Sequence, residues 1–360
     1  WNSGKPLIPN PNPAWLLTLL RTDGVLALGA GLSEADLFGL RDARPFRGRV
    51  FCLVGRRHPH AGQPAGPSIR HDPASFCEAL LKAVGSPKHK SARDRWVGRT
   101  RRTLDKLARL TREEARKAAR KVPLDPAYVA YQIEQRSRSR PVHPTPPAAT
   151  FFLAEGNGAG MWFRSFHGLH PIVYPVQMAS IGVSLPWSAG VRRGRPGSRI
   201  FAVVGDGSYL YQAPVLRDLE RLKHPVVFFV LNDAAWNAIR MEQTFVFRNR
   251  YIGTALPDID YQKLANLYGC VGRRVQNDEE LNHAITEAMV WHEREQGPLV
   301  IDVKIARDSI PFSGLCFVLA EFDYILRPMR WKVLASLLVS WIHGKIPRRI
   351  VVLLVRMLFT

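Results

Sequence analysis

The chain is poor in cysteine. Its four, Cys52, Cys77, Cys270 and Cys316, stand far apart and form no CxxC pair. That argues against a zinc site, a redox dithiol and a disulfide framework, and points to buried thiols in a reducing, cytoplasmic setting. Long apolar runs are missing too. The greasiest stretches, 331–343 and 350–359, fall short of the ~20 residues that span a bilayer. The start has neither a charged n-region nor an apolar h-region, so no signal peptide is read there, and without an initial Met the N-terminus reads as cut. Acid is scarce: 30 Asp and Glu face 51 Lys and Arg, a net charge of +21.

That charge is unevenly placed. Residues 87–121 hold fourteen basic against four acidic side chains, a local +10, and residues 313–360 hold seven against two. Such a run is a candidate nucleic-acid or anionic-lipid surface. The run at 87–121 has a single aromatic residue, Trp96, and no nucleic-acid motif, so a solvated helical connector is the preferred reading and neither a nucleic-acid nor a membrane partner is expected.

The remaining pattern is α/β. Short apolar runs at 24–29, 49–54 and 68–71 read as strands, and Asp72 followed by Pro73 reads as the start of a helix running to about residue 84. Residues 87–121 carry Leu104, Leu107, Ala108, Leu110 and Ala115 at helical spacing, predicting one or two surface helices. Residues 136–149, rich in Pro and Arg, read as a loop. Runs at 151–154, 200–204, 225–231 and 299–303 read as strands separated by helices, the last preceded by a helix over 279–295. Strands alternating with helices predict a doubly wound parallel sheet. The expected units are a partial Rossmann-like domain over 1–86, a basic helical linker over 87–121, a second α/β domain over 122–310 and an apolar, basic tail over 311–360. The tail is read as a non-native extension in preference to a membrane-surface segment.

Chemistry is concentrated where two of these strands end. Gly205-Asp206-Gly207-Ser208 closes one, and Asn232-Asp233-Ala234-Ala235 closes the next, with Asp233 twenty-seven residues after Asp206. Ligands of open parallel sheets bind beyond the carboxyl ends of strands. Two hard carboxylates with a backbone carbonyl suit Mg²⁺ shared with phosphate. Glycines at 205 and 207 allow close backbone approach to a diphosphate, and Ser208 offers a hydroxyl donor.

With Pro196 ahead of Phe201-x-Val203-x-Gly205-Asp206-Gly207-Ser208, Asn232-Asp233 after it and Ser180-Ile181-Gly182-Val183-Ser184-Leu185-Pro186 before it, the chain resembles thiamine-diphosphate enzymes of the acetolactate synthase, pyruvate decarboxylase and benzoylformate decarboxylase superfamily. The likeness covers roughly residues 20–310. It implies thiamine diphosphate and Mg²⁺ as cofactors, with FAD left open. By position, Asp206, Asp233 and the Ala235 carbonyl would hold the metal. Gly205, Gly207, Ser208 and Asn232 would border the diphosphate. Ile181 would wedge between the cofactor rings (ordinary core packing is the alternative), and the Ala179 carbonyl would accept from the aminopyrimidine. Gly156 and Asn157 are weaker candidates for the diphosphate end, and His167 and His170 for the substrate side.

Departures from the family pattern are Asp233 for the usual Asn, Ala235 for the frequent Gly or Thr, Ala189 for a larger apolar residue, and no pyrimidine-binding domain ahead of Trp1. The activating glutamate belongs to that domain, so no catalytic residue is assigned in this chain. The resemblance implies a decarboxylase or carboligase acting on a 2-oxo acid, completed by a pyrimidine-binding domain from another chain in a homo-oligomer and inactive without it. A gene fragment is favoured over a split subunit. A non-catalytic remnant and a basic nucleic-acid or membrane-surface protein are the competing readings.

Overall fold

The computed structural model describes residues 24–28, 50–55, 68–84, 90–138, 149–156, 160–163, 172–173, 180–294, 296–307 and 309. The expectations for Asn157, His167, His170, Ala179 and the tail over 311–360 lie outside the described residues.

Near the N-terminus, strands β1 (Gly24–Leu28), β2 (Val50–Gly55) and β3 (Ser68–Arg70) pair in parallel in that order. Helix α1 (Pro73–Val84) starts where expected. Asp72 Oδ2 accepts from the Ser75 amide at 3.1 Å, and Pro73 takes the first position, where a missing N–H costs nothing.

The basic run is one long helix, α2 (Lys90–Lys117). Its C-terminal end is more than a surface connector. Ala115 and Ala118 are buried in the main core, and Arg116 Nε donates to the Tyr131 hydroxyl at 2.8 Å. Helix α3 (Pro126–Arg138) follows and reaches into the stretch read as a loop from residue 136. It continues because Arg136 is anchored, its guanidinium bonding Thr286 Oγ1 at 2.8 Å and Asn282 Oδ1 at 2.7 Å.

Among the described residues the second sheet has six strands, all parallel: β5 (Ile172–Val173), β4 (Thr150–Glu155), β6 (Arg199–Gly205), β7 (Val226–Asn232), β9 (Leu299–Lys304) and β8 (Val271–Val275), in that spatial order. Its central strands are apolar on both faces because both faces are covered. Phe152, Phe201 and Phe229 point to one side, toward α3 and helix α9 (Asp278–Val290). Their rings form a ladder, 5.3 Å from Phe152 to Phe201 and 6.0 Å from Phe201 to Phe229. Leu153, Ala202, Phe228 and Val230 point to the other side. There they meet helices α4 (Ser184–Gly194), α5 (Asp206–Leu210), α6 (Val215–Arg221) and α8 (Tyr261–Leu267) through Leu185, Tyr209, Leu216 and Tyr261. Each fully buried ring or branched side chain contributes roughly 1.5–3 kcal/mol. The doubly wound parallel sheet expected from the alternation is what forms.

From β4 the chain goes to one neighbour, β5, and then to the other, β6. Such a reversal opens a crevice at the carboxyl ends of β4 and β6, the usual ligand position in this architecture. Among the described residues no helix is long and apolar enough to cross a membrane.

Candidate functional site

Parallel pairing brings the ends of β4, β6 and β7 to one edge. Glu155 lies opposite Val204, and Gly205 opposite Leu231, so Glu155, Asp206 and Asp233 leave the sheet side by side. Gly205 is extended (φ −71°, ψ 149°), and the chain turns at once into α5. Helix α7 (Asn237–Val246) begins just after the second motif.

Asp206 is 2 % exposed. Its Oδ1 accepts from the Gly207 amide at 2.8 Å, while Oδ2 is buried with no hydrogen-bond partner among the described residues. Burial pushes this carboxyl up to about 6, against the pull of the Gly207, Ala234 and Ala235 amides and of Lys304. Asp233 is pushed further, to about 7, first by burial and then by the negative charge of Asp206. Its Oδ1 accepts from the Ala235 amide at 3.1 Å and its Oδ2 from Asn237 Nδ2 at 2.5 Å. Two buried carboxylates, the charge of Asp206 raising Asp233 and one Asp206 oxygen orphaned among the described residues, make an electrostatic deficit that a cation relieves. Among the described residues no cluster of three or more His, Cys, Asp and Glu could hold a metal. A dication between Asp206 and Asp233 would therefore complete its shell from carbonyl, water or phosphate oxygens, the habit of Mg²⁺. The donor set fits that ion.

The turn after Asp233 is held in a costly shape. Ala234 has φ 53°, the left-handed region, and Ala235 forms an isolated bridge with Ala255. Arg307 keeps it there, its Nε donating to the Asp233 carbonyl at 2.8 Å and an Nη to the Ala234 carbonyl at 3.2 Å. Strain of this kind, fixed by surrounding bonds, is characteristic of binding turns.

On the other side of the crevice, Glu155 is buried with both oxygens committed. One accepts from the Gly182 amide and the other from the Ser184 amide at 2.5 Å. These bonds tie the 181–184 segment to the end of β4. Gly182 has φ 80°, and a Cβ there would sit 2.7 Å from Tyr211 Cβ, so only glycine fits. Beside it, Ile181 is 38 % exposed and so is not ordinary core packing. A Cβ on Gly207 would meet the Trp236 ring at 2.5 Å, and the Trp236 and Tyr211 rings meet edge to face at 6.0 Å. Gly156 adjoins Ser208, whose hydroxyl would lie 3.1 Å from a Cβ on that glycine.

The structure thus gathers Ile181, Gly205, Asp206, Gly207, Ser208, Asp233 and Ala235 at one edge. Asn232 differs. Its amide nitrogen donates to Asp302 Oδ1 at 2.8 Å and to the Ile259 carbonyl at 3.1 Å, and its Oδ1 accepts from Lys304 at 3.1 Å. Both amide protons are consumed inside the fold, so its side chain has no donor left for a diphosphate. Sequence reasoning gave no role to Glu155, Asp302, Arg307 or Tyr261. A lone acid within the apolar run 299–303 was the available signal for Asp302.

Known proteins match this picture. Residues 158–303 match the family described as thiamine pyrophosphate enzyme, C-terminal TPP binding domain. An acetolactate synthase of Bacillus subtilis is 31 % identical over 152 residues, 42 % of this chain and 26 % of that protein. A probable 2-ketoarginine decarboxylase of Pseudomonas aeruginosa is 26 % identical over 272 residues, 75 % of this chain and 45 % of that protein. The fold is shared with a thiamine diphosphate-dependent 4-hydroxybenzoylformate decarboxylase of Rhodococcus jostii, with TM-score 0.57, 19 % identity, and coverage of 81 % of this chain and 50 % of that one. The chain spans less than half the length of both curated relatives. It carries a thiamine-diphosphate-binding domain related to those of the acetolactate synthase and decarboxylase family.

Proposed function

We propose that this chain supplies the diphosphate- and magnesium-binding part of a 2-oxo-acid decarboxylase or carboligase. The observation that carries the proposal is the buried Asp206 Oδ2, without a hydrogen-bond partner among the described residues, beside the raised carboxyl of Asp233. In this reading the working domain spans 122–310, preceded by a central-domain segment over 1–86 and the basic linker over 87–121, and followed by the tail over 311–360. Asp206, Asp233 and the Ala235 carbonyl hold Mg²⁺. Gly205, Gly207 and Ser208 border the diphosphate, while Asn232 supports the motif from inside the sheet. Ile181 and the Ala179 carbonyl orient the cofactor rings, with Ile181 held in place by Glu155 through Gly182.

When bound, thiamine diphosphate supplies the electron sink for breaking the bond beside the carbonyl of a 2-oxo acid. The chain's own contribution is to fix the charged end of that group against two strand termini and to present an apolar side chain toward its middle. The activating glutamate comes from a pyrimidine-binding domain of another chain, in a homo-oligomer, and without it this part is inactive. The exposed Ile181, Tyr211 and Ile239 are apolar surface on or next to the site-bearing segments that such a domain would cover.

The test is calorimetric titration of thiamine diphosphate with Mg²⁺ into the chain, beside an Asp206→Ala variant. Magnesium-dependent uptake that the variant loses supports the reading. No uptake by a folded chain favours a non-catalytic remnant, to which Asp233 in place of the family's Asn, a second negative charge beside a diphosphate, also points.

A further inference from the structure

Asp302 is fully buried on β9, within the otherwise apolar run Leu299–Val303. A carboxylate there is costly unless every lone pair it turns inward is used. Its two oxygens go to two different segments. Oδ1 accepts from Asn232 Nδ2 at 2.8 Å, one residue before Asp233. Oδ2 accepts from the Tyr261 amide at 3.2 Å, at the first residue of α8. Tyr261 then reaches the other motif. Its hydroxyl donates to the Asp206 carbonyl at 3.2 Å, and its ring stands edge-on to Tyr209, 5.6 Å away in α5. The Asn232 arm is braced in turn by Lys304, which also pairs with Asp258 at 2.6 Å.

One carboxylate therefore joins two arms, one ending at the Asp206 carbonyl and the other at Asn232, the residue before Asp233. We propose that Asp302 is a positioning residue. Through Asn232 on one side and Tyr261 on the other, it holds the ends of β6 and β7 in fixed relation and so fixes the relative placement of Asp206 and Asp233 for a small, geometrically demanding cation. The proposal rests on the magnesium-diphosphate reading above. A core filler would need only an apolar side chain in a strand like β9. A clamp needs two acceptors aimed in different directions, and Asp302 has them.

Cation selectivity separates positioning from general support. Mg²⁺ demands near-ideal octahedral geometry, whereas Ca²⁺ accepts six to eight ligands in flexible arrangements. Loosening the clamp should harm the first ion more than the second. The experiment measures Mg²⁺ and Ca²⁺ affinity of the full chain at fixed thiamine diphosphate, by calorimetry, for the unaltered protein, Tyr261→Phe, Asp302→Asn and Asp206→Ala. Tyr261→Phe deletes only the hydroxyl on the Asp206 carbonyl and keeps the ring in the core, so it tests the clamp even where Asp302→Asn fails to fold.

The expected result is a loss of about tenfold in Mg²⁺ affinity for Tyr261→Phe, the scale of supporting-residue effects at metal sites, with a much smaller loss for Ca²⁺. Equal losses for both ions, or none, overturn the clamp. Asp206→Ala separates the two failures. If it abolishes Mg²⁺ uptake while Tyr261→Phe keeps the unaltered Mg²⁺/Ca²⁺ ratio, only the clamp is wrong. If the unaltered chain shows no Mg²⁺-dependent uptake, or Asp206→Ala leaves it intact, the underlying reading falls and the clamp falls with it.

Discussion

Glu155 and Asp206 leave neighbouring strands at the same edge of the sheet, and both are almost wholly buried, 1 % and 2 % exposed. They do opposite things. Glu155 has each oxygen on a backbone amide of the 181–184 segment, so its charge is consumed in holding that segment. Asp206 has one oxygen on its own turn and one with no hydrogen-bond partner among the described residues, and its charge acts on a second carboxylate. Burial is equal in the two, so burial does not tell a structural acid from a binding acid. The count of satisfied oxygens does.

That contrast can be broken by exchanging what each acid lacks. Asp206→Ala has the largest expected effect. Magnesium-dependent affinity for thiamine diphosphate falls by on the order of 100-fold or more, while the melting temperature of the metal-free chain does not fall, because relief of the buried Oδ2 offsets the lost bond from the Gly207 amide to Oδ1. Glu155→Gln should show the reverse. An amide has one acceptor oxygen for two amide donors, so one N–H is left facing an NH₂, at a cost of about 2 kcal/mol, read in a denaturant melt.

Asp233→Asn comes next and carries a pH signature. Asp206 and Asp233 hold their protons more tightly in the folded chain, up to about 6 and about 7, than in the unfolded one. Between about pH 4 and pH 7 the folded state therefore binds more protons. Stability of the metal-free chain should fall as pH rises through that window, and Mg²⁺ with the diphosphate should restore it. The asparagine flattens the slope and raises metal-free stability at neutral pH by about 1 kcal/mol. Unchanged slopes would mean that the carboxyls are not in conflict. Ser208→Ala is the mildest test, a loss of about threefold in diphosphate affinity, the worth of a single hydrogen bond, with an unaltered melt.

Legibility from sequence followed the same division. β6, β7 and β9 were visible because their apolar runs are buried on both faces and end in glycine or in polar residues. β8, Val-Gly-Arg-Arg-Val, was not. It is an edge strand with only Gly272 and Val275 buried, and its arginines pair with Glu287 and Asp260 on neighbouring helices and loops. The basic run at 87–121 showed its helical period, but the burial of Ala115 and Ala118 depends on α3 packing against it. Asp206 and Asp233 could be picked out because the strand ends that carry them lie one crossover apart. The pairing of Asp302 with Asn232 spans 70 residues and leaves no local pattern.

The sequence by itself determined the α/β class, the strand ends and the two aspartates that terminate adjacent strands, because hydrophobic period and glycine placement act over a few residues. Only the tertiary structure decided which acids are spent and which remain available. That depends on whether backbone amides from distant segments bond the carboxylate, as Gly182 and Ser184 bond Glu155 and as, among the described residues, none completes a hydrogen bond to Asp206 Oδ2. A buried carboxylate without such donors keeps its demand for positive charge, and that demand makes the edge of this sheet a candidate binding site.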